Sequence, residues 1–123
     1  MHRSLSSSPV RLLPVLAAVV AVSAFAGPAS AARTHATATI KVTATEFKFV
    51  LSPNTVEHGS VTFIVVNKGK LAHDFKIAGK VTPQIAPGKS AKLTVTLKAG
   101  KYPYLCTVPG HAAAGMKGTL VVK

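Results

Sequence analysis

Polar and apolar residues alternate with a period of two through most of the chain beyond residue 37, and that period predicts strands. Thr37 to Thr45 alternates around Ile40 and Val42, and Glu46 to Leu51 alternates again, placing Phe47 and Phe49 on one side. Both read as half-buried strands. Ser52-Pro53-Asn54 and His58-Gly59 turn the chain, and Val61 to Val66 is a β-branched and aromatic run suited to a central strand. Asn67 to Lys70 reads as a loop, His73 to Ile77 as a short strand, and Gly79 to Ser90, with Pro83, Pro87 and Gly88, as irregular. Ala91 to Lys98 alternates cleanly, with Leu93, Val95 and Leu97 facing a core. Lys101 to Cys106 puts Tyr102, Tyr104 and Cys106 on one face, and Gly118 to Lys123 closes the fold. No stretch beyond residue 37 has a helical period. About seven to eight short strands in roughly 90 residues predict an all-β fold, an antiparallel Greek-key sandwich with its loops gathered at two ends.

The N-terminus follows a different pattern. Arg3 and Arg11 precede an apolar run from Leu12 to Phe25, and Ala29-Ser30-Ala31 is a small-residue cleavage motif, so residues 1–31 read as a secretory signal peptide. Residues 32–37 are expected to be a short flexible lead, and 38–123 a single domain. Export to the periplasm, cell surface or medium follows from that reading. It also changes the meaning of the one cysteine among 123 residues, because exported domains use cysteines in pairs as staples. An unpaired one reads as a reactive thiol, an intermolecular bridge or a ligand.

Charge narrows the partners. The chain carries a formal +12, and once Arg3 and Arg11 leave with the signal, 13 basic residues face 3 acidic ones, a net +10. Such a field favours acidic proteins and peripheral association with anionic membrane or cell-wall surfaces. Nucleic acid is excluded as the expected partner, since the chain has neither a basic helix nor an evident aromatic stacking platform.

The chemistry is concentrated after the cysteine, in Cys106-Thr-Val-Pro-Gly-His111-Ala-Ala-Ala-Gly-Met116. Thiol, imidazole and thioether recur at short intervals on a segment whose proline and glycines let it curl back on itself. A soft thiolate, a borderline nitrogen and a weak sulfur suit copper cycling between its two oxidation states, with His73 as the candidate fourth donor. Of the remaining histidines, His58 reads as a turn residue. His35 has one alternative role: cleavage after Ala32 would expose Arg33-Thr34-His35, whose amine, amides and imidazole could chelate Cu(II).

The stretch Gly100-Lys-Tyr-Pro-Tyr-Leu-Cys-Thr-Val-Pro-Gly-His-Ala-Ala-Ala-Gly-Met-Lys-Gly-Thr-Leu-Val-Val122 resembles the C-terminal hairpin of the cupredoxins, the small blue copper proteins, and Leu71-Ala72-His73-Asp74-Phe75 resembles the segment bearing their first histidine. The resemblance implies a β-sandwich holding one type 1 copper ion and acting as a one-electron carrier rather than an enzyme. It implies His73, Cys106 and His111 as equatorial ligands and Met116 as the axial one. The Cys-x4-His-x4-Met spacing is more similar to that of the rusticyanins than to the shorter Cys-to-His loop of plastocyanins or the shorter His-to-Met loop of azurins. Where plastocyanins and their relatives have Asn after the first histidine, this chain has Asp74, an acceptor-only group placed to brace the backbone or hydroxyl of Thr107.

Around His111 the residues are small and uncharged: Val108, Pro109 and Gly110 before it, Ala112, Ala113 and Ala114 after it. That composition predicts a docking face, with Lys68, Lys70 and Lys117 as a basic rim that steers redox proteins with acidic surfaces. The domain is expected to act as a monomer. A copper storage or delivery protein would use the same ligands. Catalysis is not expected, because a binuclear copper site needs a second cysteine, and the copper oxidases and nitrite reductases that this domain resembles need further histidines.

Overall fold

The computed structural model describes residues 8–15, 17–23, 27 and 37–123. The chain divides into two units, Met1–Ala32 and Arg33–Lys123. In the first, the described residues form no helix or strand and their apolar side chains are exposed, Leu12 at 93% and Val20 at 79%. No helix among the described residues is long and apolar enough to cross a membrane. Arg3, the Ala29-Ser30-Ala31 motif and His35 lie outside the described residues, as does the lead except for Thr37.

The described residues of the second unit form nine strands: β1 (Ala38–Thr45), β2 (Lys48–Ser52), β3 (Thr55–Val56), β4 (Gly59–Asn67), β5 (Lys76–Ile77), β6 (Lys80–Val81), β7 (Ser90–Leu97), β8 (Gly100–Leu105) and β9 (Lys117–Val122). They make two sheets, ordered β2-β1-β4-β7 and β3-β9-β8-β5-β6. Alternation explains the long strands. Ile40, Val42 and Ala44 of β1, Val61, Phe63 and Val65 of β4, and Val95 and Leu97 of β7 all point inward and are buried. Ile77, Leu120 and Val122 enter the same core from the other sheet. Each fully buried side chain of this kind is worth about 1.5–3 kcal/mol, so the sandwich rests on these alternating positions.

Three features differ from the pattern read along the chain. The sheets are mixed rather than purely antiparallel: β1 runs parallel to β4, Ala38 opposite Val61, and β3 parallel to β9. Period-two alternation fixes which face a residue occupies but not the direction of its neighbour. The strand count is nine because β3, β5 and β6 have two residues each, too few to show a period. Finally, β2 begins at Lys48, so Glu46 and Phe47 form the two-residue connection between paired Thr45 and Lys48. Phe49 is buried in β2, whereas Phe47 lies outside the strand and is 38% exposed.

The segments around His73 also differ in detail. Asn67 is the buried last residue of β4, and His73 makes an isolated antiparallel bridge with Ile85 rather than starting a strand. Gly79 to Ser90, read as irregular, contains β6 and that bridge residue.

Candidate metal centre

The β8–β9 hairpin supplies one side of the centre. Leu105 pairs with Lys117, and the ladder continues one step further, the Cys106 N–H donating to the Met116 carbonyl at 3.1 Å. Cys106 and Met116 therefore face each other at the mouth of the hairpin, both buried. The intervening loop folds back through successive turns. His111 N–H donates to Val108 O and Met116 N–H to His111 O, each at 3.1 Å, which draws His111 over the hairpin mouth. Gly110 makes this possible, since its φ of +82° lies in the left-handed region that a side chain disfavours.

His73 arrives from the other direction. Its bridge to Ile85 uses both backbone groups, N–H to Ile85 O at 3.1 Å and Ile85 N–H to His73 O at 2.7 Å. Asn67 shapes the approach: its Nδ2 donates to the carbonyls of Leu71 and Ile85, both at 2.7 Å, and its Oδ1 accepts from Gly69 N–H at 2.8 Å. Two residues on, Phe75 is fully buried against Phe49, Phe63 and Tyr104, with ring centroids 5.2, 5.2 and 5.5 Å away. The aromatic cluster thus anchors the segment that carries the histidine.

These constraints bring His73, Cys106 and His111 together, one donor atom of each within 4.8 Å of the others and all three residues buried. His73 Nδ1 stands 3.1 Å from His111 Nδ1, and Cys106 Sγ stands 3.6 Å from the same His111 atom. One thiol sulfur and two imidazole nitrogens at these separations can share one ion. A thiolate with two imidazoles is the soft and borderline donor set that copper prefers, and Met116, buried and paired through its backbone carbonyl with Cys106, adds a thioether to the same end of the hairpin. Burial pushes the Cys106 thiol above its ordinary value, so the metal-free sulfur holds its proton and metal binding must release it.

Asp74 and Thr107 meet beside the cluster. Asp74 Oδ1 accepts the Thr107 backbone N–H at 2.6 Å, and its Oδ2 accepts the Thr107 hydroxyl. The bond ties the residue after His73 to the residue after Cys106. On the outer surface, Val108 and Ala112 are half-buried, while Pro109, Ala113, Lys68, Lys70 and Lys117 are exposed. His58 stands apart, its Nδ1 3.0 Å from Lys123 O.

Sequence reasoning missed Glu46 and Phe47. Glu46 Oε1 accepts the N–H groups of Lys70 at 2.6 Å and Leu71 at 2.8 Å, and lies 3.3 Å from His73 Nε2. The Leu71 hydrogen bond, helped by that of Lys70, holds its carboxyl at about 2, well below the ordinary 4.5. Phe47 stands edge-on to the His111 ring, centroids 5.0 Å apart. The available signal was scarcity: Glu46 is one of only three acidic residues in the chain.

Rusticyanin of Acidithiobacillus ferrooxidans is 40% identical over 83 residues, 51% of this chain and 53% of that one. The chain thus spans about half the length of the rusticyanins it matches. The copper-resistant cuproprotein CopI of Rubrivivax gelatinosus is 27% identical over 119 residues, covering 78% of this chain and 72% of that protein. Auracyanin A, a "blue" copper protein of Chloroflexus aurantiacus, has the same fold, with a TM-score of 0.60 at 24% identity over 72% of this chain and all of its own. Residues 15–122 match the family model of the cupredoxin-like domain. The chain belongs to the cupredoxin-like family, and its His73–Cys106–His111 cluster is suited to a copper ion.

Proposed function

We propose that the chain is an exported mononuclear type 1 copper protein that carries single electrons between redox partners. The observation that carries the reading is the burial of one thiol and two imidazoles within a few ångströms of one another, on segments tied together by backbone hydrogen bonds. His73, Cys106 and His111 would hold the ion, with Met116 as the weaker fourth donor. Bound copper supplies a one-electron couple between Cu(II) and Cu(I).

The protein's part is rigidity. Cu(I) and Cu(II) favour different coordination, and a site free to relax would rearrange at every transfer. Here the Cys106–Met116 backbone bond, the His73–Ile85 bridge and the Asp74–Thr107 clamp each oppose that movement. Burial of all three donor residues keeps water from competing for the ion.

His111, 8% exposed against 0% for His73 and 1% for Cys106, is the least buried of the three donor residues and so the route by which an electron would leave. We place partner docking on this face, with Val108, Pro109, Ala112 and Ala113 in contact and Lys68, Lys70 and Lys117 steering an acidic surface. The net positive charge also favours loose attachment to anionic membrane or wall polymers. A carrier rather than a catalyst fits a chain with one cysteine, since a binuclear copper centre requires a second.

The test is the visible spectrum of the Cu(II)-loaded protein beside Cys106→Ser. An intense thiolate-to-copper band that reductant bleaches and the variant lacks is the expected result. Weak, colourless binding would sink the reading. Similarity to a copper-resistant cuproprotein over 78% of the chain favours one alternative, copper storage or delivery. That role requires bound copper to pass readily to a competing chelator, whereas a carrier retains it through repeated cycles.

A further inference from the structure

We propose that Glu46 is a positioning residue of the copper site, fixing His73 in the tautomer whose Nδ1 is free to bind metal and adding a negative charge that favours Cu(II). The inference rests on the copper reading above and assigns a role to a carboxylate far from the ligand motif.

His73 is fully buried, so its ring nitrogens must find partners inside the protein. Nε2 faces Glu46 Oε1 at 3.3 Å. An ionised carboxylate only accepts, so Nε2 carries the hydrogen and Nδ1 is left with its lone pair. That is the nitrogen 3.1 Å from His111 Nδ1, at the centre of the cluster. A histidine ligand oriented by a carboxylate on its other nitrogen is both better placed and more basic.

The carboxylate is itself held. The same Oε1 accepts the N–H groups of Lys70 and Leu71, so it cannot swing away without leaving two donors unpaired. Gly69 provides the room: a β-carbon there would stand 2.8 Å from Glu46 Cδ, inside contact distance. Asn67 fixes that glycine by accepting its N–H. Charge points the same way. In a chain of net +12 with three acidic residues, two of them, Glu46 and Asp74, stand beside His73.

Three variants and two readouts test this. In the metal-free wild type at neutral pH, nitrogen NMR of the His73 ring should show the Nε2–H tautomer; the Nδ1–H tautomer would overturn the proposal. In loaded protein, Glu46→Gln keeps an oxygen for the Lys70 and Leu71 donors and removes only the charge. Chelator competition should show Cu(II) affinity falling about tenfold or more while Cu(I) affinity holds, a rise of about 59 mV in potential per tenfold. Gly69→Ala, which leaves Glu46 intact but displaces its carboxylate, should shift the ratio in the same direction. Glu57→Gln, at the third acidic residue, should leave it unchanged. If Glu46 merely tied down the loop, Glu46→Gln would match wild type, and that equality refutes the assignment. Should the wild type bind no copper, the copper reading fails by itself, and the metal-free tautomer still decides for or against Glu46.

Discussion

Asp74 takes both hydrogen-bond donors of Thr107, and by doing so joins the two chain segments that bring in His73 and Cys106. Hydrogen bonds to a charged acceptor are worth about 1.5–3 kcal/mol, so Asp74→Ala should lower metal-free stability by that amount in denaturant unfolding. Asp74→Asn, which keeps one acceptor, should cost less. Glu46 makes a second, pH-dependent contribution. Its carboxyl sits at about 2 in the fold against an ordinary 4.5, so the unfolded chain takes up the proton first. The stability it contributes is therefore complete above pH 4.5 and lost as pH falls toward 2. Glu46→Gln should lack this acid limb; parallel wild-type and variant curves across that range would contradict the assignment. Asp74 and Thr107 are legible in the sequence because each directly follows a candidate ligand. Glu46 is not, because 27 residues separate it from His73 and only the β1–β2 connection brings them together.

The segment carrying His73 owes its position to packing two residues further on, where Phe75 fills the space between the sheets. Phe75→Ala should cost about 3–5 kcal/mol, read by thermal or denaturant unfolding of the metal-free protein. The ligand loop depends on backbone conformation instead. Gly110→Ala forces a side chain into φ +82°, a penalty of about 1–2 kcal/mol that should appear as weakened copper binding as well as lowered stability. Strands of eight or nine residues such as β1, β4 and β7 are legible because alternation repeats several times within each. The β5–β6 hairpin is hidden because its two-residue turn is Ala78-Gly79, with φ of 51° and 76°, and an alanine there gives none of the Asn-Gly or Asp-Gly signal. The parallel pairing of β1 with β4 is hidden for another reason: it is set by where the chain returns after crossing to the other sheet through β3.

At the scale of the whole molecule, copper and charge dominate. An ion that binds only the folded chain stabilises it by mass action, about 2.7 kcal/mol when free metal is 100 times its Kd. Copper should therefore raise the melting temperature of the wild type and do so far less for Cys106→Ser. Charge should govern encounter with partners. Replacing Lys68, Lys70 and Lys117 by Gln should slow association with an acidic redox partner and flatten its salt dependence, while leaving the dissociation rate nearly unchanged. An unaltered association rate at low salt would remove these lysines from the docking face. The sign of the molecular field is legible from composition alone, but composition leaves open which lysines meet a partner.

In the proposed role, the buried cluster holds one copper ion and passes single electrons through it repeatedly. The most direct test is a spectroelectrochemical titration of the copper-loaded protein, following the thiolate-to-copper band as the applied potential is swept in both directions. A single one-electron wave is expected, identical on reduction and reoxidation, with the copper content unchanged after many cycles. Hysteresis, progressive loss of the band, or copper appearing in the filtrate on reduction would contradict electron carriage and favour a protein that hands its copper on.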